Sequence, residues 1–131
     1  MVLWHKNLVV KRYGEIMNLK DLPKNPVAVT IKMIGCRWKV MIIADLMDGT
    51  RRFSEIKKSL KGITQKVLSS KLKELEQDGI LTREEAGTKV EYTLTDIGYS
   101  LRPVILSFYD WGKDYKKYVK LTEKSFGKAK A

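Results

Sequence analysis

The sequence predicts a mainly α-helical chain completed by one small β-hairpin, an α+β fold. Apolar residues recur at helical spacing in successive short segments, each closed by a glycine. Only two adjacent segments, on either side of Gly87, are rich in β-branched and aromatic residues. The length, 131 residues, suits a single domain that buries its own core.

Each element follows from local chemistry. Residues 1–24 form an N-terminal extension in which Val9, Tyr13, Ile16 and Met17 fit a helical stripe weakened by Gly14. Pro26 is placed to open a short helix over 27–35, ending at Gly35. Trp38, Met41, Ile42, Ala44, Leu46 and Met47 mark a second helix over 37–48, with Gly49 as its C-terminal cap. Arg51-Arg52-Phe53 reads as a short strand. Ser54 is expected to cap the next helix, with Glu55 at its positive end and Ile56 and Leu60 inward.

Thr64 is expected to cap a helix over 65–78 whose inner stripe is Val67, Leu68, Leu72 and Leu75. At 100° per residue Lys66, Ser70, Lys73 and Gln77 point the other way, with Gln65 and Ser69 on the flank. Segments 80–83 and 90–94 make the hairpin. Thr95 and Asp96 then cap one long final helix. Its apolar positions Leu101, Val104, Phe108, Trp111, Tyr115 and Tyr118 are spaced 3-4-3-4-3, the seam of a helix that pairs with one partner helix. Residues 101–120 are expected to be a dimerisation helix, and 121–131 a Lys-rich flexible tail.

Charge points to a class of partner. Lys and Arg number 26 against 15 Asp and Glu, a net +11, which suits a polyanion. Residues 49–73 carry net +7, whereas 74–112 carry net −5. Solvated helices usually interleave the signs, so a block this one-sided suggests a face turned toward phosphates.

Several classes are excluded. Runs such as Val40-Met41-Ile42-Ile43-Ala44 are far shorter than the ~18 apolar residues of a membrane span. The first residues lack the order of a secretory signal, and one cysteine makes no internal disulfide, so the expected compartment is the cytoplasm. One His and one Cys make no usual zinc site, and no metal or other cofactor is implied.

The element order, with the 65–78 helix preceding the hairpin, is that of a winged helix-turn-helix, with added N- and C-terminal helices for dimerisation. A helix entering the major groove of DNA must carry small polar or basic side chains outward. Gln65, Lys66, Ser69, Ser70 and Lys73 meet that demand: Gln pairs with adenine, Lys with guanine, Ser with either. Thr64 begins this helix. Arg51, Arg52, Ser54, Lys57 and Lys58 lie ahead of it, the two lysines as phosphate contacts. Arg83 and Lys89 are the cations of the wing, about 83–91, expected on flanking backbone. The expected partners are double-stranded DNA with a roughly palindromic operator and a second copy of the chain. The domain reading places this DNA-binding unit at 25–100.

An ordered series of motifs strengthens that reading. It comprises Asn25-Pro26-Val27, Ile34-Gly35-Cys36-Arg37-Trp38-Lys39 and Gly49-Thr50-Arg51-Arg52-Phe53-Ser54-Glu55-Ile56. It continues with Gly62-Ile63-Thr64-Gln65-Lys66-Val67-Leu68, with residues 72–83, with residues 90–98, and with Trp111-Gly112. The sequence thereby resembles the HxlR-type transcription regulators of bacteria and archaea, relatives of the MarR group. The resemblance implies a dimeric winged-helix DNA-binding protein that reads its operator through 65–73. Many members carry a Cys immediately before the Pro-Val, in some of them a sensor of oxidants or aldehydes. Asn25 stands there in this chain, so that switch does not carry over. Cys36 replaces a usual glycine and is a candidate redox thiol through its place beside Arg37 at a helix N-terminus. The plainer reading is a small buried Cys beside Trp38.

Rival readings are weaker. An enzyme would need a nucleophile with its base or carboxylates in a cleft, and His5 is the lone histidine. A chromatin-like protein binding any duplex, or a winged helix serving protein contacts, is the alternative. Membrane-surface binding by the tail lacks a regular apolar face after Val119, although Leu121 and Phe126 follow.

Overall fold

A computed structural model describes residues 19–130, with side chains for 19–125. The helical stripe expected over Val9, Tyr13, Ile16 and Met17 lies outside the described residues, as do His5 and the side chain of Phe126. The chain divides into two units at Ser100.

In the first unit, α1 spans Pro26–Ile34. Asn25 caps it: Oδ1 accepts from the Val27 N–H at 2.8 Å and the Ala28 N–H at 3.4 Å. Helix α2 spans Arg37–Leu46 and is followed by Gly49, whose φ of +132° only glycine adopts without strain. Its buried face is Lys39, Ile42, Ile43 and Leu46; Met41, expected inside, is exposed.

Strand β1 is only Arg51–Arg52, and α3 spans Phe53–Ser59. Two expectations are corrected here. Phe53 belongs to the helix, not the strand, and the N-cap residue is Arg52 rather than Ser54. The Arg52 N–H is satisfied by Glu55 Oε1 at 2.9 Å, a carboxylate reaching back from the first turn to the N-cap residue. Helix α4 spans Gln65–Gln77, and here the expected cap is present: Thr64 Oγ1 accepts from the Val67 N–H at 3.1 Å.

Strands β2, Leu81–Ala86, and β3, Lys89–Leu94, form the hairpin. With β1 they make a three-stranded antiparallel sheet in the order β1-β3-β2. Leu81 pairs with Leu94, Arg83 with Tyr92 and Glu85 with Val90, while Glu84 pairs with Glu91 and Ala86 with Lys89. Across the other edge Arg52 faces Glu91.

The core lies where α2, α4 and the base of the hairpin meet. Leu68, Leu72 and Leu75 of α4 are buried, as are Ile42, Ile43, Leu46, Leu81 and Leu94. Each such side chain contributes roughly 1.5–3 kcal/mol through burial. Val67 is half-buried. This arrangement of α3, α4 and the β2–β3 wing is a winged helix-turn-helix.

The final helix is not continuous, contrary to expectation. A short α5, Asp96–Ser100, belongs to the first unit; α6, Arg102–Lys130, makes up nearly all of the second. Proline explains the break. Inside one long helix Pro103 would leave a carbonyl four residues back without its donor. A restart at Arg102 puts Pro103 in the first turn, where no N–H is needed. Thr95 caps α5, its Oγ1 accepting from the Gly98 N–H at 3.2 Å. The α6 helix shows no stop near 120 and continues through the Lys-rich stretch to Lys130.

Candidate nucleic-acid interface

The candidate site is built on α4. Its inner leucines fix the helix against α2, which leaves Gln65, Lys66, Ser69, Ser70 and Lys73 exposed together along the opposite side. All five are short or unbranched near the backbone, so a duplex edge could approach the helix closely. Lys57 and Lys58 are exposed at the end of α3. Ser54 is exposed in the first turn of the same helix. Arg52 is exposed, whereas Arg51 is half-buried with Nε 3.8 Å from Asp45 Oδ2. The other oxygen of Asp45 accepts from Ser59 Oγ at 2.7 Å, so one carboxylate tethers β1 and the last residue of α3.

Between α4 and the wing runs an open groove of about 640 Å³. One wall carries Gln65, Ser69, Lys73 and Glu76, the other Arg83, Glu85, Val90 and Tyr92, with Phe53 at the side. The strand pleat decides which wing residues enter it. Alternate side chains take opposite faces, so Arg83 and Glu85 share the groove face with their partners Tyr92 and Val90. Lys89 falls on the other face, with Glu84 and Glu91. The two expected wing cations are therefore separated: Arg83 looks toward α4 and Lys89 away from it.

Arg83 is also not a bare cation. Its Nη1 donates to Glu85 Oε1 at 2.7 Å. That bond, together with Tyr92, holds the guanidinium pKa above its ordinary value. Sequence reasoning missed Glu85 and Tyr92 because their placement depends on strand register; Glu76, also missed, follows Ser69 and Lys73 at helical spacing on α4. The alternation of Leu81, Arg83 and Glu85 was the available signal.

A second cluster backs α4. Lys39 is only 7% exposed, and its Nζ lies 3.3 Å from Glu74 Oε1. Lys71 Nζ lies 2.9 Å from Glu74 Oε2. The Lys71 hydrogen bond is the strongest influence on Glu74; it and Lys39 outweigh partial burial and leave the carboxyl below its ordinary range. Cys36 is half-buried beside this cluster as the N-cap residue of α2. Burial pushes the thiol up, but the N–H groups of Lys39 and Trp38 and the charges of Lys71 and Lys39 prevail and lower it. Arg37, expected to do this, instead stacks on the Trp38 ring at 4.5 Å.

The model of the HxlR-like helix-turn-helix family matches residues 33–120. The chain belongs to the HxlR-like helix-turn-helix family. Among relatives of this HxlR-like chain is the HTH-type transcriptional regulator YdeP of Bacillus subtilis. It is 44% identical over 109 residues, covering 81% of this chain and 85% of that protein. YybR, another HTH-type regulator of Bacillus subtilis, is 41% identical over 91 residues, covering 67% of this chain and 73% of that protein. Among solved structures, the redox regulator HypR in its reduced form superposes with a TM-score of 0.68 at 37% identity. It covers 73% of this chain and 98% of its own. These relatives are transcriptional regulators, not enzymes. This HxlR-like protein is accordingly a transcriptional regulator with a helix-turn-helix DNA-binding domain. No described helix is long and apolar enough to cross a membrane.

Proposed function

We propose that this HxlR-like regulator acts in the cytoplasm as a homodimer on a pseudo-palindromic operator, with α4 in the major groove of each half-site. The observation that carries the reading is the outward face of α4, where Gln65, Lys66, Ser69, Ser70 and Lys73 are exposed together. Polar amide, ammonium and hydroxyl groups supply the donors and acceptors that base edges require. Lys57 and Lys58 supply phosphate contacts that set the register, and Lys89 at the outer face of the wing reaches flanking backbone.

Pairing of two copies rests on α6. Phe108, Trp111, Tyr115 and Tyr118 are all exposed, Trp111 at 68%. Trp111 and Tyr115 stack with centroids 5.2 Å apart, and Tyr118 follows at 6.1 Å, so the rings form one continuous apolar edge. Leu101 and Val104 are half-buried at the start of the same seam. A wet aromatic edge at heptad spacing is best covered by the same edge of a second copy.

Selection of duplexes from a random pool tests the proposal. The expected result is an enriched inverted repeat, bound by a dimer in the presence of excess competitor DNA. Equal affinity for every duplex would overturn sequence-specific regulation and favour chromatin-like binding.

A further inference from the structure

The groove between α4 and the wing holds its charges in balance: Lys73 and Arg83 against Glu76 and Glu85. That is unexpected on a surface meant for phosphates. The 2.7 Å bond between Arg83 and Glu85 occupies the guanidinium that faces α4. From this juxtaposition we propose that Glu85 is a specificity-determining residue, a built-in competitor that holds Arg83 away from nucleic acid until a duplex is seated against α4. This rests on the DNA-binding reading above.

Three features carry it. A carboxylate and a phosphate offer the same paired oxygens to the planar guanidinium fork, so one can replace the other without Arg83 changing its manner of bonding. The pair is exchangeable, because its members are partly solvated, Arg83 at 30% and Glu85 at 63% side-chain exposure, and such pairs hold weakly. Arg83 sits inside the groove rather than at the wing tip, opposite Gln65 and Ser69 of α4. Only a backbone strand drawn into the groove, with α4 already at the base edges, brings a phosphate within its reach. A duplex held loosely by outer lysines leaves Arg83 on Glu85. The exchange therefore takes place only in the seated complex, and its cost falls on the selected sequence alone, so Glu85 limits the gap between selected and random sequence.

The pleat supplies an internal control. Glu84 carries the same charge one residue away but lies on the opposite face, across from Glu91. The experiment measures affinity of the full chain and its variants for a duplex selected from a random pool and for a random-sequence duplex, across a salt series. Glu85→Gln is expected to tighten binding of the selected duplex about threefold to tenfold, because Arg83 then takes its phosphate without first leaving a carboxylate. The random duplex, which leaves Arg83 unused, should gain less, so discrimination rises. In an Arg83→Ala background Glu85→Gln should add no more than Glu84→Gln adds to the parent. The proposal is overturned if the gain persists in full without Arg83, or if Glu85→Gln leaves the selected duplex unchanged. It is equally overturned if Glu85→Gln weakens the selected duplex, the sign of a carboxylate that accepts from cytosine. A parent protein that binds neither duplex removes the DNA-binding reading itself, and this inference with it.

Discussion

Lys39 of α2, almost entirely buried, places its Nζ 3.3 Å from Oε1 of Glu74 on α4. Its aliphatic stem lies among core side chains while its charge is met by a half-exposed carboxylate. The helix expected to enter the groove is thus joined to the body by an ion pair as well as by leucines. Glu74→Gln is expected to cost about 1–2 kcal/mol in urea unfolding. Removing one partner strands a buried charge, but solvent at Glu74 keeps the loss well below that of a fully buried pair.

The same pair sets a pH dependence. The Glu74 carboxyl lies below its ordinary value of 4.5 in the folded chain. Its contribution is therefore complete above that value and is lost as pH falls through the lowered one, because the unfolded chain takes up the proton first. Stability of the parent should fall more steeply than that of Glu74→Gln on acidification below about pH 4.5. Parallel curves would show that the pair contributes nothing.

Gln65→Ala or Lys66→Ala should relax discrimination at one base position of the selected duplex by ~1–3 kcal/mol, with fold intact, since both side chains are exposed. Competition with single-base variants of the duplex measures this. A variant that ranks every sequence as the parent does would remove its residue from base readout.

Lys89→Ala should weaken all duplexes alike and flatten the salt slope by about one. The contrast with Arg83 is the informative part. Lys89 and Arg83 take opposite faces of the hairpin, so their effects should be close to additive. An unchanged slope would place Lys89 off the DNA.

Trp111→Ala should weaken self-association by tenfold or more, about 2 kcal/mol for an aromatic anchor at a protein interface. Light scattering at low micromolar concentration reads the mass. A variant as dimeric as the parent would move the subunit contact away from this part of α6.

Much of this molecule was legible because the signals are local. The leucine period of residues 65–77 and the Thr64 hydroxyl define α4 without help from the rest of the chain. Asn25 shows the limit of a family pattern. Its side chain closes the first turn of α1, and any helix-capping residue serves that purpose.

The sequence by itself determined helices α1, α2 and α4, the hairpin, the polar outer side of α4 and the aromatic spacing of α6, because each follows from near-neighbour periodicity and capping. Only the tertiary structure decided that Lys39 is buried against Glu74 and that Arg83 and Lys89 part company across the wing. Those outcomes depend on strand register and on which helix packs over which. Contacts between residues far apart along the chain leave no trace in the spacing of either partner.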